Sequence, residues 1–293
     1  MAQSLPTAML GRTGLEVTRL GYGTAHRRSM TDDQAGAIHN AVLDAGINFI
    51  DTSDDYGNAE ELIGKHVAHR RSEFYLATKC GSSASGSGHD WTKDNVMRNL
   101  DESLRLLKTD YVDVMQLHNP TVEECERAGL VEALEEMRRQ GKVRWIAVST
   151  TLPHLPVYLD WGVFDAMQIP YSALERGHED WIARTAEEGV GIILRGGVAK
   201  GDPEAGTGLS EVWRKYDEAR LDELRAEGES RSAFMQRFTL THPNTHTIIT
   251  GTTNPDHLGE NVQAVLKGPL SDDVYVEVKR RMDAVGEKPT PLT

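Results

Sequence analysis

The sequence has few of the features that mark secreted, membrane or nucleic-acid-binding proteins. Its 293 residues include two cysteines, and the spacing of Cys80 and Cys125 matches no metal or redox motif, which excludes a disulfide-built scaffold. No apolar run approaches the roughly 20 residues needed to span a bilayer. The 32 Lys and Arg residues are outnumbered by 45 Asp and Glu, and the net charge of −13 argues against nucleic acid as a partner. Because the first residues also lack the basic and apolar regions of a signal peptide, we expect a soluble, cytoplasmic protein without membrane association.

The composition is that of a folded chain. Hydrophobic residues make up 39% and charged residues 26%, which excludes a disordered or fibrous protein. The length is ample for a core without disulfides, and (β/α) barrels of about 250 residues fold as single units. We see no linker and no internal repeat beyond an alternation of strand-like and helix-like segments. We therefore predict a single domain over residues 1–293.

Short apolar segments of strand length alternate with longer segments of helical periodicity. Eight such strands, each followed by a helix, predict an α/β fold, a (β/α)₈ barrel with a C-terminal helix. An open doubly wound sheet is the alternative, but it usually has fewer strands and a Gly-rich phosphate loop, and Gly21-x-Gly23 lacks the third glycine. The predicted strands are Arg19–Tyr22, Asn48–Asp51, Phe74–Thr78, Val112–Gln116, Val143–Val148, Ala166–Ile169, Gly191–Leu194 and Thr247–Thr250.

Local signals predict the hairpin that precedes the barrel and the starts of several helices. The glycines of Gly11–Gly14 favour a tight turn between two short strands. Thr31–Gln34 and Thr121–Glu124 have the spacing of capping boxes, and Thr92 precedes a segment with apolar residues along one face. The helix that begins after Thr121 is predicted to continue to a C-terminal stop at Gly141.

Two segments interrupt the alternation of strands and helices. Gly81–Gly88 is a Gly- and Ser-rich segment after the third strand and is predicted to be a flexible loop. Gly201–Glu229 is a long charged segment after the seventh strand. In a barrel both lie at the C-terminal face, where loops shape the active site, although tolerated surface insertions are the alternative for each.

Four polar side chains follow three consecutive predicted strands. Asp51 ends the second strand and Tyr56 lies shortly after it, Lys79 ends the third strand, and the fourth runs into His118. Each residue alone has a structural explanation, as a cap, a packing group or a solvated charge. Because successive barrel strands are neighbours, we expect the four side chains to converge at one rim.

Such a set of side chains suits the reduction of a carbonyl group. A tyrosine hydroxyl titrates near 10, and a nearby ammonium lowers that pKa while a carboxylate keeps the ammonium charged. Tyr56 can then pass a proton to a developing alkoxide, with Lys79 and Asp51 tuning it and His118 orienting the carbonyl. The hydride must come from a cofactor. The sequence therefore predicts an enzyme that reduces a small-molecule carbonyl.

The types and spacing of the residues exclude two kinds of metal site. A calcium loop starting at Asp51 needs glycine at its sixth position and glutamate at its twelfth, where the chain has Tyr56 and Leu62. A metal hydrolase on a barrel needs several strand-end histidines, and His118 is the single good candidate. No metal site is expected.

Several longer stretches of the chain are distinctive. They are Gly46–Ser53, Tyr56–Glu60, Lys79, His118, Leu10–Leu15, Gly21–Thr24 and Gly251–Asn261. With these segments the sequence resembles the aldo-keto reductases over essentially its whole length. This resemblance implies a (β/α)₈ barrel, a nicotinamide dinucleotide bound without a Rossmann domain, and a catalytic tetrad of Asp51, Tyr56, Lys79 and His118.

The resemblance also implies a set of cofactor contacts. Ser149 and Gln168 match residues that hold the nicotinamide amide, Thr150 stands where asparagine is usual, and Arg195 stands where an aromatic ring is common. We expect Arg195 to contact the pyrophosphate, with stacking of its planar guanidinium on the nicotinamide ring as the alternative. The full set is Gly23, Thr24, Asp51, Ser149, Thr150, Gln168, Arg195, Gly196, Gly197, Val198, Gly201, Gly251, Thr252, Thr253, His257, Glu260 and Asn261.

The cofactor predicted from the resemblance is NADPH (NADP⁺) in preference to NADH. Relatives that prefer NADPH commonly carry Lys and Arg beside the adenosine 2′-phosphate, and this chain has Gly251 and His257 at those positions. Backbone N–H groups and the hydroxyls of Thr252 and Thr253 remain to bind the phosphate at a helix start. We therefore expect a weaker preference for NADPH than in relatives with arginine.

The predicted substrate pocket lacks the aromatic residues common in relatives that act on aromatic aldehydes. Trp91 and Trp213 lie in or beside the two interrupting segments, and each is a candidate to close over substrate, although packing is the simpler role for each. A cofactor-binding regulatory protein, like the potassium-channel β subunits of the family, is the main alternative to an enzyme. We expect a monomer or weak homo-oligomer. The predicted substrate contacts are His26, Tyr56, Trp91, His118 and Asn119.

Overall fold

The computed structural model describes residues 4–25, 30–86, 88–203 and 209–292, in which strands and helices alternate along the chain. No helix among these residues is both long and apolar enough to cross a membrane. The strands are β1 Thr7–Met9, β2 Glu16–Thr18, β3 Leu20–Gly23, β4 Phe49–Asp51, β5 Tyr75–Cys80, β6 Val112–His118, β7 Val143–Ser149, β8 Ala166–Pro170, β9 Gly191–Arg195 and β10 Thr247–Thr250. The helices are α1 Asp32–Asp44, α2 Ala59–His66, α3 Lys93–Leu107, α4 Val122–Ala128, α5 Leu130–Arg139, α6 His154–Trp161, α7 Glu179–Glu187, α8 Ser210–Glu218, α9 Arg231–Thr241, α10 Pro255–Lys267 and α11 Asp272–Ala284.

Strands β3 to β10 form a closed parallel barrel in the order β10-β3-β4-β5-β6-β7-β8-β9. This confirms the predicted (β/α)₈ fold, its eight strands and the antiparallel hairpin of β1 and β2 that precedes them. Strands β5 and β6 continue two residues beyond the predicted ends, because Lys79 pairs in register with Gln116 and His118 with Ser149. The strand ends are therefore part of the sheet, and their side chains alternate between its inner and outer faces.

The barrel interior changes from apolar to polar along its axis. The apolar part is a buried cluster that combines barrel strands with the hairpin side chains of Leu10, Leu15 and Val17. The hairpin covers the N-terminal end, since the Arg12 N–H donates to the Gly189 carbonyl at 2.7 Å, just before β9. The C-terminal end is left for polar side chains. The barrel residues of the apolar cluster are Phe49, Ala77, Val114, Ala147, Ala166 and Ile193.

Two helix predictions hold and one is wrong. Thr31 makes both halves of a capping box with Gln34 at the start of α1, and the Thr92 hydroxyl caps α3. The capping box at Thr121 is also present, but its helix does not continue to Gly141. Gly129 has φ +61° and divides the segment into α4 and α5. A left-handed residue cannot continue a helix, and glycine takes that conformation at little steric cost.

The described part of the charged segment between β9 and α9 contains a helix that its composition did not indicate, and residues 204–208 of the segment lie outside the described residues. Helix α8 lies inside it and buries Trp213 and Tyr216, whose ring centroids are 5.0 Å apart. Trp213 is therefore a packing residue, and its closure over substrate is ruled out by its burial. The two aromatic residues are three positions apart, a helical spacing obscured by the many charged neighbours.

A substitution at Gly64 tests the contact between α2 and α3. A Cβ atom at Gly64 would lie 2.0 Å from the backbone oxygen of Leu106, so the helices must separate to admit it. We expect Gly64→Ala to lower the free energy of unfolding by about 3 kcal/mol, measured by urea titration. Gly259 in α10 is the control, because a Cβ there meets nothing within 4 Å. Gly259→Ala should raise stability by about 0.5–1 kcal/mol, and equal effects at both sites would contradict the close approach.

Candidate active site

A buried ion pair lies at the polar end of the barrel. Lys79 Nζ is 2.6 Å from Asp51 Oδ2, and the two side chains are 0% and 2% exposed. Lys79 also donates to the backbone oxygen of Thr52 at 2.9 Å. The pair joins the ends of the neighbouring strands β4 and β5, so the register of the barrel sets its geometry.

Two amide side chains hold the other oxygen of Asp51. Gln116 Nε2 and Gln168 Nε2 each donate to Asp51 Oδ1 at 2.8 Å. A buried carboxylate that accepts three hydrogen bonds is held in one orientation. The sequence analysis missed Gln116, although it lies two residues before His118 on one strand and therefore shares its inward face.

The hydroxyl-bearing ring of Tyr56 lies next to the Lys79 ammonium. Lys79 Nζ is 4.8 Å from the Tyr56 ring centroid. Burial by itself lowers the pKa of Lys79, but Asp51 and Tyr56 more than offset this and the pKa is raised above its ordinary value. The ammonium therefore stays charged at neutral pH and lies beside the Tyr56 ring.

His118 completes the group at the end of β6. Its ring is perpendicular to that of Tyr56, with the centroids 5.8 Å apart, and its Nδ1 lies 3.2 Å from Ser53 Oγ. Burial, followed by the charges of Lys79, His89 and Arg195, lowers the pKa of His118 to about 3. The imidazole is therefore neutral across the physiological range, with one ring nitrogen as a donor and the other as an acceptor.

The residues predicted to hold the nicotinamide amide lie on the adjoining strands. Ser149 ends β7, and its cross-strand partner is Gln168 in the middle of β8. Ser149 Oγ donates to Asn119 Oδ1 at 3.1 Å, and Thr150 is buried beside it. Asn119 itself is exposed at the rim, in a left-handed conformation with φ 63°.

The next group of predicted cofactor residues lies at the end of β9 and in the turn that follows it. Arg195 ends β9, and its charge acts on both Tyr56 and His118, which places it near the tetrad. Arg195 Nε is buried without a hydrogen-bond partner among the described residues. The remaining residues predicted there, Gly196, Gly197, Val198 and Gly201, form the turn that leaves the strand.

The residues predicted for the adenosine end lie at the start of α10. The Gly23 backbone is near the Gly251 N–H, and the Tyr22 hydroxyl donates to the Thr252 carbonyl at 3.0 Å. Thr24, behind Gly23, is buried and bonded to Thr52. Asn254 caps the helix through the Asp256 N–H. In this region Thr253, His257 and Glu260 are exposed, whereas Asn261 is buried.

The Aldo/keto reductase family model matches residues 19–282 of the chain. The chain belongs to the aldo/keto reductase family. The aldo-keto reductase AKR11C1 from Bacillus halodurans, in its holo form, superposes with a TM-score of 0.85 at 29% identity, covering 94% of this chain and 96% of that one. The uncharacterized oxidoreductase YqkF of Bacillus subtilis is 27% identical over 90% of this chain and 92% of its own length. The NADH-specific methylglyoxal reductase of Escherichia coli is 26% identical over 90% of this chain and 92% of its own.

This aldo/keto reductase is an oxidoreductase that uses a nicotinamide cofactor. The residues present fit such a group at the rim. Arg195 Nε and Thr250 Oγ1, at the ends of β9 and β10, are buried polar atoms without partners among the described residues. The backbone at Gly23 and Gly196 is open, since the nearest atom to a Cβ there is 3.8 Å away. Unpartnered donors next to bare backbone suit a phosphate-bearing ligand.

The neutrality of His118 is testable by its response to pH. The unfolded histidine binds a proton near pH 6.5 and the folded one near 3, so the folded state loses stability as pH falls through that interval. We expect its ring ¹⁵N shifts, assigned with His118→Gln, to stay constant from pH 8 to 5. The unaltered protein should also lose about 1–2 kcal/mol more stability than His118→Gln between pH 7 and 5. A ring that titrates near 6.5 would contradict this.

The remaining predicted substrate residues are divided between the interior and the rim. His26 lies outside the described residues. Trp91 is buried behind the exposed ring of His89, with the two rings stacked at a centroid distance of 5.1 Å. Ser82, in the predicted flexible loop Gly81–Gly88, forms an antiparallel bridge with His89 that closes a short hairpin, of which Ser87 lies outside the described residues. No pattern in the sequence indicated that this bridge would bring His89 next to His118.

Proposed function

We propose that this aldo/keto reductase uses NADPH to reduce an aldehyde or ketone to an alcohol, with Tyr56 as the proton donor. The observation that carries the proposal is the dry ion pair of Lys79 and Asp51 next to the Tyr56 ring. An isolated buried ion pair adds little net stability, because desolvation offsets the attraction between its charges. A buried pair beside an ionisable hydroxyl is instead typical of a site that moves a proton.

Each member of the tetrad has one role in the proposed reaction. A bound nicotinamide cofactor supplies the hydride. Tyr56 gives its proton to the substrate oxygen, and the Lys79 ammonium stabilises the charge left on the phenol. Asp51, fixed by its amide donors, keeps the ammonium in place. Neutral His118 donates a hydrogen bond that orients the carbonyl oxygen.

The proposed cofactor contacts follow the strand ends around the rim. Ser149, Thr150 and Gln168 hold the carboxamide, and Arg195 with the turn to Gly201 contacts the pyrophosphate. The segment from Gly251 to Asn261 holds the adenosine end, where the N-terminus of α10 favours an anion. Gln168 uses its amide nitrogen on Asp51, which leaves its amide oxygen for the cofactor.

The preference for NADPH is proposed to depend on His257, which is exposed in the first turn of α10. His257→Arg should tighten NADPH binding by about tenfold, because guanidinium binds phosphate in a bidentate way, and leave NADH binding unchanged. Quenching of the intrinsic tryptophan fluorescence measures both dissociation constants. His69→Arg adds the same charge at the opposite end of the barrel and is the control. Equal affinity of the unaltered protein for the two cofactors would contradict the preference.

The proposed activity is tested by cofactor oxidation with a panel of short aldehydes and ketones, together with the Tyr56 variant discussed below. We propose further that residues 1–293 act as one domain, as a monomer or weak homo-oligomer in the cytoplasm. Cofactor binding without turnover of any carbonyl would favour a binding role on the same barrel. Binding of neither cofactor would contradict both functions.

A further inference from the structure

The hairpin after β5 is fixed to the loop that carries Tyr56. Asp54, two residues before Tyr56, accepts hydrogen bonds from Ser82 N at 3.1 Å and from Ser82 Oγ at 2.6 Å. From the other side, Asn95 Nδ2 donates to the carbonyls of Ser82 at 2.9 Å and Asp90 at 2.8 Å. Both ends of the hairpin are thus held by side chains of the barrel, so its position relative to the tetrad is defined.

The hairpin places a second imidazole beside His118. The His89 ring is perpendicular to that of His118, with the centroids 5.7 Å apart, and it is stacked on Trp91 at an interplanar angle of 7°. The Trp91 ring packs closely against Gly81, since a Cβ at Gly81 would lie 2.2 Å from it. His89 is exposed while Trp91 is buried. The His118 ring therefore has the rings of both Tyr56 and His89 as neighbours, at centroid distances of 5.8 Å and 5.7 Å.

We propose that His89 binds an oxygen on the carbon adjacent to the reacting carbonyl, so that the site prefers 2-hydroxy and 2-oxo aldehydes and ketones. The inference rests on the proposed function, in which Tyr56 and His118 hold the carbonyl oxygen. His89 is the next ring beyond His118, so it faces the substituent one carbon away. The ring nitrogens of an imidazole can form hydrogen bonds with a hydroxyl or with a second carbonyl.

The rest of the rim supports a polar substituent. Asn119 is exposed beside the end of β6, and the charge of Arg195 reaches His118 from β9. An apolar chain placed there would cover these polar groups without replacing their hydrogen bonds to water, which is unfavourable. A substrate with a second oxygen restores one of those bonds.

The test compares two aldehydes of the same carbon skeleton, lactaldehyde and propanal. The full-length protein should show a kcat/KM at least tenfold higher for lactaldehyde. His89→Phe keeps a ring to stack on Trp91 but removes both polar nitrogens. We expect it to lower kcat/KM for lactaldehyde by about tenfold, mainly through KM, and to leave propanal and the cofactor dissociation constant unchanged. His89→Gln, which keeps a donor and an acceptor, should recover part of the loss.

His69→Phe is the matched control, since His69 is an exposed histidine before β5 at the other end of the barrel. If His89→Phe lowered kcat/KM equally for both aldehydes, His89 would act by positioning His118. That result would overturn the proposed contact between His89 and the substrate. Equal kcat/KM of the two aldehydes with the unaltered protein would also overturn it, while leaving the proposed reductase activity intact. Failure of the unaltered protein to reduce either aldehyde or any other carbonyl, with cofactor bound, would instead overturn the proposed function and this inference with it.

Discussion

Tyr56→Phe is expected to lower kcat for carbonyl reduction by about 100- to 10,000-fold, the range that a positioned general acid contributes. The variant loses one oxygen atom and keeps the ring that lies 4.8 Å from Lys79 Nζ and perpendicular to His118. The dissociation constant for NADPH should therefore stay within about threefold. Single-turnover assays that follow cofactor oxidation measure the chemical step directly, and fluorescence titration measures binding.

The control for this substitution is Tyr75→Phe, at the opposite end of the same barrel. Tyr75 begins β5, four residues before Lys79, so its hydroxyl is remote from the rim. Its removal should leave kcat unchanged. If Tyr56→Phe retained more than about a tenth of the activity, another group would be supplying the proton. If it instead lost cofactor binding to the same degree as turnover, Tyr56 would be a binding residue.

Lys79→Met is expected to lower the free energy of unfolding by about 3–5 kcal/mol and to abolish turnover. The substitution leaves the Asp51 charge buried and without its cation, and an uncompensated buried charge is strongly destabilising. The amide donors on Asp51 Oδ1 remain, so we expect the lower part of that range. Because the pKa of Lys79 is raised in the folded protein, its contribution to the free energy of unfolding depends on pH. That contribution is complete below the unfolded pKa of about 10.4 and is lost as pH rises through the folded pKa.

The matched control for Lys79→Met is Lys65→Met. Lys65 Nζ lies 2.6 Å from Asp32 Oδ2, the same separation as in the buried pair, but the side chains are 53% and 46% exposed. Water screens this pair, so its loss should leave the urea midpoint unchanged. The double variant Asp51→Asn/Lys79→Met removes both charges and should recover much of the stability without activity. Equal destabilisation by the two single variants would contradict the role assigned to burial.

The barrel itself was predictable from the sequence because each strand has a local signature. A short apolar run bounded by turn residues and followed by helical periodicity requires no knowledge of its neighbours. The capping boxes at Thr31 and Thr121 are equally local, since their hydrogen bonds span three residues. The break at Gly129 and the helix α8 were missed, because a glycine inside an otherwise helical pattern and a charged amphipathic helix are weak signals.

The four residues of the tetrad could be chosen from their positions at predicted strand ends. Their hydrogen bonds and protonation states, in contrast, depend on the closed barrel. The sequence by itself determined that Asp51, Lys79 and His118 lie at the C-terminal ends of three consecutive strands, because strand length and order are properties of one chain segment after another. Only the tertiary structure decided that Gln116 and Gln168 share one oxygen of Asp51, that His118 is held neutral, and that a bridged hairpin brings His89 beside it. The physical reason is that hydrogen bonds and desolvation depend on distances between residues that are far apart in sequence, and the closure of the barrel sets those distances.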